Sequence, residues 1–388
     1  MNFFLPLIFT LLPFTSWYDS KVDLVFAGDA MQHSAQIEAA SNGDGTYSYD
    51  EYFAAIKPYI ENADYAVVNL ETPLGGKPYT GYPCFSAPES YLTALTDAGF
   101  DLMLAANNHT LDRRDKGVLQ TISQFEKQET DFIGIYRNAE HRSTHLPFIK
   151  NINGINIAFL NYTYGTNGIT IQGNVVVDYI DKDIIKKDIA NARKKGAELI
   201  AVCVHWGNEY QLLPHSSQKE LADFLCKQGV DLIIGGHPHV IQPMEMRYNE
   251  LTHKNTLLVY SLGNFISNMK TRDTRGGAML KVSLSRDING QAQVDSASYR
   301  LVFTIPPTGN NDNFRLVPVE KYHSGSWASQ CQAFTKAAED IFNKHNINVP
   351  RDTTTIIDNK NNFQLKNIAK DIANSKNCST FAPLKTKW

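Results

Sequence analysis

Five short apolar runs in this chain each lead into a polar residue of metal-ligating type, with helical stretches between most of them. Val22–Ala27 runs into Gly28-Asp29, Tyr65–Val68 into Asn69-Leu70-Glu71, and Leu102–Ala105 into Asn107-Asn108-His109. Leu199–Val204 runs into His205-Trp206-Gly207, and Leu232–Ile234 into Gly236-His237-Pro238-His239. Runs of this length and composition read as strands buried on both faces, as in parallel sheets covered by helices. Helices are predicted over Asp50–Tyr59, Pro88–Ala98, Lys116–Lys127, Asp181–Lys195 and Ser217–Gln228. Pro88 suits a first helical turn, where its missing N–H is not needed. Gly99 and Gly229 stand where a helix stops and a strand restarts. The alternation predicts a layered α/β domain. Ligands of open α/β sheets bind beyond the carboxyl ends of the strands. Asp29, Glu71, Asn108, His205, His237 and His239 are therefore predicted to share one crevice and hold metal.

Ile155–Tyr162 and Thr256–Ser261 read as further strands. Ala278–Leu284 and Val294–Val302 alternate around a turn at Asp287-Ile288-Asn289-Gly290, a hairpin signal that makes the sheets mixed. Ala328–Lys344 reads as one amphipathic helix in an otherwise polar stretch. The expected organisation is a signal peptide over 1–20, a site-bearing domain over 21–306 and a C-terminal extension over 307–388, partly helical and partly mobile.

With 388 residues, 43% of them hydrophobic, the chain is long enough to bury a sizeable core. Its net charge of -3 offers no basic excess, which argues against a nucleic-acid partner. Phe3–Phe14 is almost wholly apolar, too short to span a bilayer, and matches the apolar core of a signal peptide. Export to the periplasm or cell envelope is expected, with cleavage between Thr15 and Ser20; the alternative is an N-terminal packing segment. No later run is long and apolar enough for a transmembrane helix. The five cysteines form no C-x-x-C pair. Cys203 and Cys226 read as inert core thiols.

Phe26-Ala27-Gly28-Asp29, Val68-Asn69-Leu70-Glu71, Ala106-Asn107-Asn108-His109, His205-Trp206-Gly207-Asn208-Glu209-Tyr210, Gly236-His237-Pro238-His239 and Tyr260-Ser261-Leu262-Gly263-Asn264-Phe265 together resemble the poly-γ-glutamate capsule-synthesis (CapA) family. That family is similar to the calcineurin-like metallophosphoesterases, and the match runs from about Asp23 to Ser285. The resemblance implies a four-layer α/β sandwich with mixed sheets. It implies one or two divalent ions (Mn, Fe or Zn). Glu71 would bridge them, Asp29 and His239 would complete one position, and Asn108, His205 and His237 the other. His109 would be the general acid or oxyanion-binding group. Carboxylate, carboxamide and imidazole are suitable donors for such ions.

The wider superfamily places a His two residues after the first Asp, where this chain has Met31. A thioether is a poor ligand for these metals. His33 is the candidate substitute if its loop curls back; otherwise it is a rim residue. Asp112 and Asp115 fall near the next helix start, where an Asp caps the helix, and Arg113 and Arg114 read as either surface-paired or substrate-clamping. Arg272 and Arg275 are candidates for the same mouth. Trp206 and Tyr210 either wall the site or pack beneath it. Glu209 and Asn264 are candidates to orient an imidazole. The expected function is an exported metal-dependent hydrolase-like protein acting on an anionic envelope polymer or a phosphorylated small molecule, with envelope biosynthesis proteins as partners. The rival reading is a non-catalytic polymer-binding or assembly component on the same fold.

Overall fold

The structure is a computed structural model, described over residues 21–309 and 312–354. Its strands are β1 (Val22–Ala30), β2 (Tyr65–Leu70), β3 (Leu102–Leu104), β4 (Asp131–Ile133), β5 (Ile135–Tyr136), β6 (Phe148–Ile152), β7 (Ile155–Thr163) and β8 (Val176–Val177). They continue with β9 (Leu199–His205), β10 (Leu232–Gly236), β11 (Ile241–Asn249), β12 (Lys254–Leu262), β13 (Asn264–Ile266), β14 (Gly276–Arg286), β15 (Ala292–Ile305) and β16 (Arg315–Pro318). The helices are α1 (Ser34–Ala40), α2 (Lys57–Glu61), α3 (Ser90–Asp97), α4 (Arg114–Lys127), α5 (Ala139–His145), α6 (Lys182–Lys194), α7 (Ser216–Lys227) and α8 (Ala328–His345).

Two mixed sheets carry the fold. The first has the order β16-β15-β14-β1-β2-β3-β4, with β13 also on β1; the second is β11-β12-β10-β9-β7-β6. In the first, β1 to β4 run parallel and β14 to β16 are added antiparallel. In the second, β7, β9, β10 and β12 are parallel, with β6 and β11 antiparallel at the edges.

Strand alternation sorts the core into layers. Leu24 and Phe26 of β1 share one apolar cluster with Ile157, Phe159 and Ala201, so the two sheets face each other there. Ala158, Leu160, Ile200 and Val202 point the other way, against Ile185 and Ile189 of α6 and Leu221 and Leu225 of α7. On the outer face of the first sheet, Phe132 stacks on Phe125 of α4 at 4.9 Å. The result is the four-layer α/β sandwich.

Two expectations differ from the structure. Asp50–Tyr59 is not one helix. Residues up to Ile56 form turns that bury Tyr52, Phe53 and Ile56, and helix begins only at Lys57, where Pro58 takes the first turn. Within 307–388, β16 pairs with β15, and α8 buries Cys331, Phe334, Ala338 and Phe342 in the cluster between the sheets. The same compact unit runs on to Asp352. The apolar stripe of α8 needs a partner and finds it on β11 and β15. Residues 1–20 and those beyond 354 lie outside the described residues, and with them the expected signal peptide, Cys378 and the expectation of a mobile tail. Among the described residues no helix is long and apolar enough to cross a membrane.

Candidate metal centre

Strand register brings the polar ends level. Asp29 lies opposite Asn69 on β2 and Asn264 on β13. His205 lies opposite Gly236 on β10 and Thr163 on β7. The sheets approach through glycines. A Cβ on Gly28 would sit 1.9 Å from Gly263 O, and one on Gly236 would sit 2.8 Å from Asp29 Oδ1. Only hydrogen at these positions lets the Asp29 end of one sheet meet the His205 and Gly-His-Pro-His ends of the other.

Asp29, Glu71 and His239 form one donor group and Glu71, His205 and His237 another, the donor atoms of each lying within 4.8 Å of one another. Glu71 is common to both. Asn108 joins the second through Oδ1, 2.9 Å from His205 Nε2. The structure thus brings together all six residues singled out from strand ends. A shell of amides orients them. Asn69 Nδ2 donates to Asp29 Oδ1 at 2.7 Å and lies 3.3 Å from His205 Nδ1. Asn264 Oδ1 lies 3.0 Å from His239 Nδ1, and the His237 backbone N–H donates to Asp29 Oδ2 at 3.2 Å. His237 and His239 take φ of +99° and +58°, conformations unfavourable for side-chain-bearing residues and common at functional sites.

The electrostatics of this group call for a cation. Glu71 is fully buried and neither carboxylate oxygen has a hydrogen-bond partner. Burial, reinforced by the charge of Asp29, pushes its carboxyl up to about 8. Asp29 meets the same desolvation, but His239, His205 and Asn69 outweigh it and hold the group at about 2. Desolvation depresses His205 to about 3 and His237 to about 2, leaving both rings neutral. Desolvation also works to lower His239, but Glu71 and Asp29 lift it to about 9. His237 Nδ1 has no partner either. A divalent ion would neutralise the buried carboxylates and take the idle lone pairs, and this donor set suits a first-row metal. The residues fit such a group.

The remaining sequence candidates fall in several places. His109 belongs to neither donor group. Its Nδ1 lies 2.8 Å from Asp112 Oδ2, and its ring meets Phe85 edge-on at 4.6 Å. Asp112 is not a helix cap: α4 begins at Arg114 without a side-chain cap, while Asp112 also accepts from the Phe85 N–H at 2.8 Å. The three-residue spacing puts its carboxylate beside the imidazole instead. Met31 is buried. His33 turns its Nδ1 to Gln36 Oε1 at 3.1 Å and to the Asn268 N–H at 3.3 Å, and it belongs to no donor group among the described residues.

Trp206 packs beneath the site, 2% exposed, its Nε1 donating to Tyr260 O at 2.8 Å. Arg275 is buried with its guanidinium 4.7 Å from the Trp327 ring centre. Neither presents a surface to a substrate, because each is spent on core packing. Arg272 pairs with its neighbour Asp273 at 2.7 Å. Arg113 donates to Pro78 O and lines an open groove with Tyr82, Cys84 and Asp112; Arg114 is exposed. Asn69 stands in the Glu71 motif, yet residue type alone gives it no role; its contacts to Asp29 and His205 come from the packing of the sheets. Sequence reasoning missed Asp112 as the partner of His109, for which the i, i+3 spacing was the available signal.

Residues 23–269 match the family described as bacterial capsule synthesis protein PGA_cap. A capsule biosynthesis protein CapA of Bacillus anthracis is 30% identical over 75% of this chain and 73% of its own length. A PGA biosynthesis protein CapA of Bacillus subtilis is 29% identical over 72% of each. Among solved structures, the NAD nucleotidase of Haemophilus influenzae is similar at 11% identity, with a TM-score of 0.47 over 93% of this chain and 68% of that one. A putative 5'-nucleotidase from Staphylococcus aureus gives 13% and 0.47 over 83% and 58%. From its motifs, its site and its relatives together, the chain belongs to the bacterial capsule synthesis protein PGA_cap family.

Proposed function

We propose that this protein is an exported, metal-dependent hydrolase-type enzyme acting on an anionic capsule or envelope polymer of the poly-γ-glutamate kind, or on a phosphorylated small molecule, alongside envelope biosynthesis proteins. The observation that carries this reading is Glu71, a fully buried carboxylate with no hydrogen-bond donor, ringed by Asp29 and three imidazoles. Leaving such a group unpaired is strongly unfavourable, and a bound cation removes the penalty. In this reading Asp29, Glu71 and His239 hold one ion of Mn, Fe or Zn type, and Glu71, Asn108, His205 and His237 hold another. Ions bound there supply Lewis-acid stabilisation of negative charge developing on a phosphoryl or acyl oxygen.

The chain's own residues do the rest. Asp112 holds His109 by Nδ1, which leaves Nε2 as the nitrogen that passes a proton to the leaving group. Asn108 contributes a neutral donor, so a metal-loaded site keeps positive charge for an anionic substrate. The experiment is metal analysis of wild type against the His237→Ala, His239→Ala double variant, with turnover of a model phosphodiester and of poly-γ-glutamate in added Mn²⁺. Equal metal content in both proteins, or none in wild type, removes the reading.

Met31 favours a second reading, a binding or assembly component with one filled metal position. Retention of polymer with no shortening of its chains under metal-replete conditions would select it.

A further inference from the structure

We infer that Glu209 is an additional metal ligand, supplying from the solvent side the donor that position 31 lacks. This rests on the metal reading of the site above. A Glu209 carboxylate oxygen and donors of His237 and His239 all lie within 4.8 Å of one another, a third group beside the two that share Glu71. Its partners are buried, whereas Glu209 is exposed. The arm therefore approaches from the solvent side of a group whose other donors are buried. His237 Nδ1, in a ring only 3% exposed, has no hydrogen-bond partner.

The loop carrying Glu209 is held in place at both ends. Gly207 has φ +87°, and a Cβ there would strike the Gln218 carboxamide at 2.6 Å, so the base of the loop lies against α7. On the other side, the Tyr210 N–H donates to Pro238 O at 2.8 Å, tying Glu209 to the residue between the two histidines. The need for a further donor is unequal. Glu71, His205 and His237 with Asn108 make four donors; Asp29, Glu71 and His239 make three. Met31 contributes no good donor, and His33 has its Nδ1 engaged by Gln36 and Asn268. Among the described residues, Glu209 is the further carboxylate grouped with these histidines; it reaches the poorer position through His239 and brings it to four.

The test is calorimetric titration of metal-stripped protein with Mn²⁺, paired with Mn²⁺ electron paramagnetic resonance, on wild type, Glu209→Gln and His237→Ala. Glu209 is exposed, so its variant folds; a melting curve without metal checks this. The expected result is two ions in wild type. Glu209→Gln should weaken the looser one by about 10- to 100-fold and leave the tighter one unchanged, with loss of the signal of paired ions. His237→Ala should instead weaken the tighter ion. Two ions bound to Glu209→Gln with wild-type affinities overturn the inference and leave the metal site standing. A single ion in wild type also overturns it. No ion in wild type removes both the inference and the reading it rests on.

Discussion

Replacing Glu71 by Gln keeps the volume of a fully buried side chain and removes its charge. Without metal, burial and the charge of Asp29 push the carboxyl up to about 8, so near neutral pH it is mostly protonated and Gln resembles it. Chelator-treated Glu71→Gln is therefore expected to melt no lower than chelator-treated wild type. Saturating Mn²⁺ should then raise only the wild type, by about 2.7 kcal/mol at one hundred times the dissociation constant. Differential scanning calorimetry with and without Mn²⁺ reads both effects, and an equal gain in the two proteins would take Glu71 out of the metal site. Gly28 makes a purely steric case. A Cβ there would lie 1.9 Å from a backbone oxygen. Gly28→Ala should lose about 3 kcal/mol or more through forced separation of the strands, measured by urea unfolding; a wild-type midpoint would mean the sheets are not in this contact.

Between elements, Arg142 joins α5 to one buried and one half-buried carboxylate. It reaches Asp178 at 2.5 Å, just past β8, and Asp188 of α6 at 2.5 Å, while Tyr162 of β7 donates to Asp188 at 2.8 Å. Arg142→Met leaves both acids without their cation and should lose about 3–5 kcal/mol near neutral pH. Burial lifts the Asp178 carboxyl from 3.8 to about 6, against the pull of Arg142. The folded state therefore holds a proton that the unfolded chain has released between those values. Stability from this group is fully present below 3.8 and is lost as pH rises through about 6. Without Arg142 the opposing cation is gone, so the deficit of the variant should grow as pH rises through that window and narrow below it. Urea titrations at pH 4.5 and 7.5 check the sign, and a deficit independent of pH would show that Asp178 is not the group involved.

At the scale of the molecule, α8 is part of the core. Phe334 is 1% exposed, sits in the cluster between the sheets and meets Phe303 of β15 at 5.9 Å. Phe334→Ala should destabilise the whole protein by about 3–5 kcal/mol in one cooperative transition. A loss below about 1 kcal/mol would mean that the helix is a peripheral attachment.

Much of the architecture was legible from local pattern. Buried parallel strands need continuous apolar runs, and β1, β2, β3, β9 and β10 all begin where those runs begin. Helix ends were legible where backbone geometry demands glycine: Gly99 and Gly229 take φ of +106° and +74°. The short pieces β4, β5, β8 and β13 were not, because two or three residues carry no period. Nor was the place of α8, since an amphipathic stripe says that a helix has a partner and not which one.

The same division holds at the site. Polar residues at strand ends were visible as types in sequence, and the parallel sheet then dictates that they emerge on one edge. Their distances depend on two sheets closing at Gly28 and Gly236. So do the idle carboxylate of Glu71, the Asp112–His109 pair, the reach of Glu209 and the retreat of Trp206 and Arg275 into packing. By itself the sequence determined which chemistry the strand ends carry, because strand period and residue type are local properties. Which of those groups meet, and which are spent on the core, only the tertiary structure decided, because contacts between residues far apart along the chain arise when the layers pack.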